Sequence, residues 1–465
     1  MATMTTTNEL TGELQSRLRG DVLDSDHPDY DEARKLYNAM IDKRPRLVAR
    51  PADAADVAQA VGFARETGID LAICGGGHNG PGLGSVDDGL MLDLSAMRGV
   101  IVDPALRSAR VLGGSLVSDV DHATGAFGVA APFGIISTTG VGGLTLGGGI
   151  GNLTRKLGLS IDTVLALDVV LADGSLVRAS EDEHEDLFWA LRGGGGNFGI
   201  VTEFTFRLHP VGTVIAGPTF WDVSQAEDVL RAYRDFMRTA PRQLNGFFLF
   251  ASVPPGDPFP AELHFRKVCG VLWCYVGDEE SAAAAMQPML DATPEPLLHG
   301  PGPMPHAMIQ GAFDGVYPKG DQWYWRAEFF NEITDEAIPI HAKYGAAMPT
   351  WKSTMHMYPI DGAVHDVGND ATAWGYRDAN FSAVFAGVDP DPANAEAIKA
   401  WAVEYNEALK PYGSGGAYLN MIMDEGPERV RASFKGNYDK LARVKAEYDP
   451  SNLFRVNQNI PPANN

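Results

Sequence analysis

The stretch that decides the fold is GVGGLTLGGGIG, Gly140–Gly151, in which seven of the twelve residues are glycine. Glycine loses more conformational entropy on folding than any other residue, so it is used where the backbone needs positive φ or a close approach. A flexible linker is the alternative, but linkers carry Ser, Pro and charge, and this stretch has none of them. The composition therefore predicts backbone lying flat against a large, rigid, mostly planar ligand, with N–H groups directed at anionic oxygens.

The bulk composition is that of an ordinary globular protein. The chain has 465 residues, 45% hydrophobic and 21% charged, which predicts two or three domains. A formal net charge of −23 disfavours binding to nucleic acid or to an anionic membrane surface. The sequence shows no membrane-spanning apolar run and no secretory signal pattern, so we expect a cytoplasmic protein. Three cysteines, without a CxxC or HExxH motif, support neither a disulfide framework nor a metal site.

A second glycine-rich loop, GGGHNGPGLG, spans Gly75–Gly84 after a predicted strand at Leu71–Cys74. A dinucleotide-binding fingerprint would open a helix here, but Pro81 and another predicted strand follow instead. The loop can still hold phosphates through a nest of N–H groups. His78 stands among these glycines without an apolar face to bury it. It is either a loop histidine that bonds its own turn, or a nucleophile or ligand presented by a rigid loop.

The pattern of predicted elements changes near Val211. Before it, short strands and helices surround glycine clusters, the third of which is Gly193–Gly196. After it, longer strands alternate with helices, which predicts a mostly antiparallel sheet covered by helices. The last fifty residues contain a strand-like stretch at Gly413–Asp424 and a charged helix over Pro427–Glu447. We predict an N-terminal segment, two domains and a C-terminal segment over residues 1–43, 44–211, 212–412 and 413–465.

Five collinear motifs resemble the berberine-bridge-enzyme-like branch of the vanillyl-alcohol-oxidase flavoprotein family. They are GGGHN, GVGGLTLGGGIG, DLFWALRGGGGNFGIVT, AYLN and YDPSNLFRVNQNI. The resemblance implies an α+β fold with a PCMH-type FAD-binding domain of two subdomains. It also implies a substrate domain, with an antiparallel sheet covered by helices, that closes over the isoalloxazine. The C-terminal segment would return to the flavin.

The same resemblance implies which residues hold FAD. His78 matches the histidine that bonds covalently to the 8α-methyl group, while Ile136 stands where many relatives have a second linking cysteine. A single covalent link is therefore expected. Thr139 falls at the position that gates oxygen access, usually Val or Leu, which leaves the oxygen reactivity open. The cofactor-binding residues implied are His78, Gly75, Gly76, Gly77, Asn79, Ser137, Thr138, Thr139, Gly140, Gly142, Gly143, Leu144, Gly147, Gly148, Gly151, Gly199, Val201, Asn457 and Asn459.

Tyr418 matches a tyrosine that serves some relatives as general base, and Asn420 lies close to it in sequence. Free tyrosine titrates near pH 10, so a base at this position needs a cation or a hydrogen bond to activate it. The alternative is a half-buried aromatic side chain in a strand. In the substrate domain, His356 and Tyr358 share one face of a predicted strand and are candidates to contact substrate. The residues that either line the same cavity or belong to the core are Trp323, Trp325 and Arg326.

The leading functional hypothesis is an FAD-linked oxidase. Its substrate, an alcohol, sugar, amine or phenolic, polyketide-like molecule, would give hydride to flavin N5, and molecular oxygen would reoxidise the flavin. An oxygenating or oxidative-cyclising enzyme of secondary metabolism is the second hypothesis. A flavin-free binding protein that kept the scaffold is the third. The expected partners are a small-molecule substrate and oxygen, with no nucleic acid and no membrane, in a monomer or homodimer.

Overall fold

Three large β-sheets organise the chain in the computed structural model, which describes residues 6–464, and a two-stranded sheet pairs Val129–Ala130 with His209–Pro210. The first sheet has the strand order β1-β2-β4-β3, with β1 antiparallel at its edge and the other three strands parallel. Its β1 comes from the segment before residue 44, so residues 6–43 contribute to this lobe. The elements are α1 Thr7–Arg17, β1 Asp21–Leu23, α2 Tyr30–Ala33, β2 Leu47–Arg50, α3 Ala54–Thr67, β3 Leu71–Cys74 and β4 Leu90–Asp93.

Helix α3 shows how local sequence sets these elements. The Asp53 carboxylate accepts hydrogen bonds from the N–H groups of Ala55 and Asp56, and Gly68 ends the helix with a φ of 72°. Its apolar face packs with α1 and the strands in one buried cluster.

The second sheet has five antiparallel strands in the order β5-β6-β10-β8-β9. Alternation along the central strand buries Phe204 and Phe206 against the helices of this lobe. The elements are β5 Val100–Asp103, β6 Ser108–Leu112, α4 Val117–Gly125, β7 Val129–Ala130, α5 Val141–Leu146, α6 Thr154–Leu157, β8 Val164–Val170, β9 Leu176–Ser180, α7 Glu185–Leu191, β10 Ile200–Arg207 and β11 His209–Pro210.

The third sheet has eight antiparallel strands in the order β15-β12-β14-β13-β18-β19-β17, with β16 also paired to β12. One face packs under α8, α9, α11 and α12, and the other faces the first two lobes. The elements are β12 Thr213–Asp222, α8 Ala226–Met237, β13 Leu244–Ser252, β14 Lys267–Tyr275, α9 Glu279–Asp291, β15 Leu298–His299, β16 Gly302–Pro305, α10 His306–Gln310, β17 Gln322–Phe330, α11 Ala337–Ala346, β18 Thr354–Pro359, β19 Phe381–Asp389 and α12 Ala395–Leu409. The α+β fold class predicted from the sequence is confirmed.

Gly140–Gly151 contains the helix α5. Two local predictions differ from the structure. The strand expected at Gly413–Asp424 is absent, since only Ser414 and Gly416 exchange backbone hydrogen bonds with β17 before a short 3-10 helix begins at Leu419. The single helix expected at Pro427–Glu447 is two helices, α13 Pro427–Ser433 and α14 Tyr438–Tyr448, separated where Lys435 adopts a φ of 51°.

Candidate active site

A large cavity lies where the four-stranded and five-stranded sheets meet the eight-stranded sheet. One wall is formed by glycine-rich loops, and the opposite wall by side chains of β17, β18 and β19. The C-terminal segment closes one end through Tyr418–Met421 and Val456–Gln458. Across residues 6–464, no helix is long and apolar enough to cross a bilayer, and no cluster of His, Cys, Asp or Glu is arranged to hold a metal.

Two of the glycine loops touch through their backbones. A Cβ placed on Gly76 would lie 2.2 Å from the backbone nitrogen of Gly140, and the reverse substitution gives the same overlap. Gly143, in contrast, has no heavy atom within 4 Å of its missing Cβ and lines the cavity. The loops therefore pack on each other and present bare backbone to whatever occupies the cavity.

Three glycines expected to bind cofactor, Gly147, Gly148 and Gly151, do not line the cavity. A Cβ on Gly147 would lie 2.2 Å from the side-chain oxygen of Asn420, and one on Gly148 would lie 3.1 Å from Trp374. On Gly151 it would overlap a backbone carbonyl at 1.7 Å. This half of the glycine stretch makes room for other parts of the protein, because Gly147 and Gly148 lie under the segment that carries Tyr418.

The imidazole of His78 is held by three neighbours. Its ring stacks on Tyr37, with centroids 3.8 Å apart and an interplanar angle of 19°. Thr138 Oγ1 lies 3.0 Å from Nε2, and Thr139 Oγ1 lies 3.4 Å from Nδ1. Burial lowers the pKa of His78 to about 4, so the ring is neutral at physiological pH. Sequence reasoning missed Tyr37, which lies in the N-terminal segment and carries no motif.

The remaining predicted residues of these loops divide between the cavity wall and its support. Asn79 lines the cavity, and its side-chain oxygen accepts the N–H of Leu83 at 2.9 Å. Ser137 lies outside the wall, where its N–H donates to the Asp314 carboxylate at 2.9 Å and its hydroxyl bonds the same group. This contact joins the loop to the third-sheet lobe. The other predicted cofactor residues that line the cavity are Gly75, Gly77, Gly142, Leu144, Gly199 and Val201.

Tyr418 and Asn420 meet at the cavity. The buried Tyr418 hydroxyl oxygen accepts the backbone N–H of Gly149 at 2.8 Å and the side-chain amide of Asn420 at 2.8 Å. The same amide donates to the Leu144 carbonyl at 3.0 Å, which fixes its orientation. Burial raises the pKa of Tyr418 to about 12, although these hydrogen bonds favour the anion. Both groups that donate to this hydroxyl, the backbone N–H of Gly149 and the side-chain amide of Asn420, are neutral.

The third sheet brings His356 and Tyr358 to the cavity. Both lie on β18, and His356 Nδ1 lies 2.9 Å from the Tyr358 hydroxyl. Burial lowers the pKa of His356 to about 3 and raises that of Tyr358. Trp323 and Trp325 line the same wall from β17, whereas Arg326, whose position alternates with theirs, does not.

Several buried polar atoms of this region lack a protein partner. The side-chain oxygens of Asn457 and Asn459 are buried without a hydrogen bond, as are the indole N–H groups of Trp323 and Trp325. Asn457 and the two tryptophans line the cavity, whereas Asn459 does not. An unsatisfied buried group costs about 1–3 kcal/mol, so this pattern is typical of a site that a polar ligand completes.

Lys445 anchors the C-terminal segment and was not predicted. Its fully buried ammonium group donates to the Asn197 carbonyl at 2.7 Å, the Phe454 carbonyl at 2.9 Å and Asp449 at 2.6 Å. The contact ties the segment to the third glycine cluster. Asp449 is the C-cap residue of α14 and follows Lys445 by four positions, and this spacing of opposite charges was the available signal.

The residues present fit a flavin dinucleotide. Bare glycine backbone can meet a planar ring and phosphate oxygens, and the unpartnered asparagine oxygens can accept ring or ribityl protons. Within residues 6–464 the cavity is lined by neither Lys nor Arg, so backbone N–H groups would meet the phosphates.

Comparison with known protein families agrees with this geometry. Residues 45–180 match the FAD binding domain, and residues 417–461 match the domain described as berberine and berberine like. An FAD-linked oxidoreductase of Dictyostelium discoideum is 29% identical over 462 residues, which cover 98% of each chain. The (R)-6-hydroxynicotine oxidase of Paenarthrobacter nicotinovorans is 28% identical over 96% of this chain and 97% of its own.

Solved structures show the same architecture. The 6-hydroxy-D-nicotine oxidase from Arthrobacter nicotinovorans superposes with a TM-score of 0.85 at 26% identity, covering 96% of this chain and 98% of its own. The Acremonium strictum glucooligosaccharide oxidase gives 0.86 at 25% identity and full coverage of both chains. Fold and site define an FAD-dependent oxidoreductase. The chain therefore carries an FAD binding domain and a berberine and berberine like domain, and its relatives over nearly the whole length are FAD-linked oxidoreductases and oxidases.

Proposed function

We propose that this enzyme is an oxidase whose FAD is attached through His78 alone, and whose acceptor is molecular oxygen. When bound, the flavin supplies the hydride acceptor at N5 and the electron transfer to oxygen. The observation that carries the proposal is a neutral histidine held in the wall of the cavity that fits FAD. A small organic molecule is the substrate, and residues 44–211 form the cofactor domain, supported by residues 6–43 and 413–464.

The environment of His78 suits a nucleophile. With a pKa of about 4, one ring nitrogen is unprotonated at neutral pH and carries a nucleophilic lone pair, which an imidazolium lacks. Stacking on Tyr37 and the two threonine hydroxyls restrict the ring to one orientation. The Acremonium strictum glucooligosaccharide oxidase carries a 6-S-cysteinyl, 8α-N1-histidyl FAD. Here Ile136, in the cavity wall, offers no thiol for a second bond.

Tyr418 is proposed as the group that takes the substrate proton. Its oxygen already accepts two N–H donors, and these stabilise the negative charge that proton removal leaves on the phenol. Asn420 thereby positions Tyr418. His356 and Tyr358 face the cavity from the sheet and are proposed to contact the substrate.

The proposed cofactor contacts fall into two groups. Backbone contacts come from the loops, and amide contacts come from Asn79, Asn457 and Asn459. Thr138 and Thr139 act on His78, while Ser137 supports their loop. The proposed backbone contacts are Gly75, Gly76, Gly77, Gly140, Gly142, Gly143, Leu144, Gly199 and Val201.

Acid precipitation tests the covalent link. We expect the wild-type pellet to stay yellow and the His78→Ala variant to release its FAD into the supernatant. His122→Ala, which changes an exposed histidine on α4, should behave as wild type. Flavin retained by the His78→Ala pellet would refute the assignment. A colourless wild-type protein would favour a flavin-free binding protein instead.

Thr139 favours a second candidate function, oxygenation or oxidative cyclisation. A hydroxyl occupies the position at which the family usually carries Val or Leu, and it lies 3.4 Å from His78 Nδ1. Anaerobic reduction by substrate followed by hydrogen peroxide on aeration supports the oxidase. Product that contains oxygen from labelled O2 supports the oxygenase.

A further inference from the structure

The sheet wall of the cavity contains a slot. On the central strand β19, Ala386 pairs with Trp325 of β17 on one side and with Thr354 of β18 on the other. Val384 pairs with His356 in the next row. Ala386 and Val384 therefore lie between Trp325 of β17 and His356 of β18, which are one row apart on strands separated by roughly 10 Å. That spacing suits one flat ring system.

The slot is surrounded by aromatic rings. Phe313 lies 5.6 Å from the His356 ring and is stacked 6.0 Å from Tyr317. Tyr317 in turn meets Trp323 edge to face at 5.2 Å. Aromatic faces and edges favour another aromatic ring in offset or edge contact, beyond the area that it buries.

The lining provides no charge. Among the described residues, none of the side chains that line the cavity is Asp, Glu, Lys or Arg. A charged substrate group would lose its hydration here without gaining a counter-ion. An oligosaccharide would bury many hydroxyl groups, whereas the polar partners on the sheet wall are the side chains of Thr354, His356 and Tyr358 and the two indole N–H groups of Trp323 and Trp325.

The two polar side chains on β18 add one specific requirement. His356 Nδ1 and the Tyr358 hydroxyl are joined by one hydrogen bond. The pair therefore still has one hydrogen-bond donor and one acceptor available for a ligand. This holds for either direction of that hydrogen bond. A hydroxyl or N–H group, which can both donate and accept, matches the pair.

We propose that the substrate is an uncharged aromatic molecule bearing a hydroxyl or amine N–H group, held in the slot over Val384 and Ala386. The inference rests on the oxidase function proposed above, and it specifies the substrate class. The His356–Tyr358 pair binds a polar substituent, and Tyr418 faces the group that is oxidised.

Calorimetric titration of the purified holoenzyme tests the substrate class without requiring turnover. The probes are benzyl alcohol, 4-methoxybenzyl alcohol and 2-naphthalenemethanol, each compared with its ring-carboxylate analogue and with cellobiose. We expect at least one neutral alcohol to bind at least tenfold more tightly than its carboxylate and than cellobiose. Equal or tighter binding of a carboxylate or of cellobiose, or binding of none of the neutral alcohols, overturns the inference.

A matched pair of variants tests the slot itself. Tyr358→Phe should weaken binding of the best alcohol about tenfold, while Tyr324→Phe, on the alternate face of β17, should leave it unchanged. Unchanged binding in Tyr358→Phe overturns the role of the pair. Anaerobic flavin bleaching by the same alcohols is scored separately, so selective binding without bleaching would contradict the oxidase function while the slot's selectivity stands.

Discussion

The two walls of the cavity differ in what they present to a ligand. The loop wall presents backbone, and its glycines leave no space for side chains where Gly76 meets Gly140. The sheet wall presents alternate side chains of three strands, among them Trp325, His356 and Val384. The positions of backbone N–H groups do not depend on side-chain identity. A backbone wall therefore suits a cofactor whose chemical structure is fixed. A side-chain wall can change residue by residue, so it suits substrate selection.

Gly76→Ala should have the largest effect, because it breaks the backbone wall. The new Cβ would lie 2.2 Å from a backbone atom that cannot rotate away. We expect a loss of about 3 kcal/mol in unfolding free energy, together with loss of flavin, measured by chemical denaturation and absorbance. The control Gly62→Ala, inside α3 with its nearest atom at 3.9 Å, should be neutral or gain up to about 1 kcal/mol. Equal unfolding free energies for Gly76→Ala and Gly62→Ala would show that the Gly76 and Gly140 loops are not in backbone contact.

Tyr418→Phe tests the point where the two walls meet. Removing a general base should slow anaerobic flavin reduction by about 10²–10⁴-fold, with flavin content unchanged. Stopped-flow absorbance measures the rate, and Tyr438→Phe on the distant helix α14 is the control. A wild-type rate in Tyr418→Phe would remove this residue from the mechanism.

The pH dependence of reduction sharpens the same assignment. A base with a pKa of about 12 is protonated at neutral pH, and its active, deprotonated fraction grows with pH. The wild-type reduction rate should therefore rise about tenfold per pH unit between pH 7 and 10, and the Tyr418→Phe rate should stay flat. A wild-type plateau below pH 9 would mean that bound substrate or cofactor lowers the pKa of Tyr418.

Val384→Ala should have the smallest effect, since it changes only the sheet wall. Removing methyl groups from the slot loses substrate contact worth about 1 kcal/mol, a roughly fivefold rise in KM. The rate of flavin reduction at saturating substrate and the flavin content should not change. Loss of flavin from this variant would show that the walls are not independent.

Local motifs were enough to predict the class of protein and the α+β fold. Glycine clusters and strand patterns are short-range features, so the strand at Leu71–Cys74 could be predicted from the sequence alone. The candidates His78, Tyr418, His356 and Tyr358 all reach one cavity. Their roles stay predictions.

Contacts between segments that are distant in the sequence could not be predicted from local motifs. Tyr37 stacks on His78 although no motif marks it, and Gly147 and Gly148 serve the chain around Tyr418 rather than the cavity. A glycine run has the same appearance in sequence whether a ligand or another segment fills the space.

The sequence by itself determined where backbone must come close and which residues could carry chemistry, because glycine's freedom and imidazole's reactivity belong to single residues. Only the tertiary structure decided what lies against each glycine, which neutral donors meet Tyr418, and which strand face lines the cavity. Those depend on packing between segments hundreds of residues apart, such as Gly149 and Tyr418.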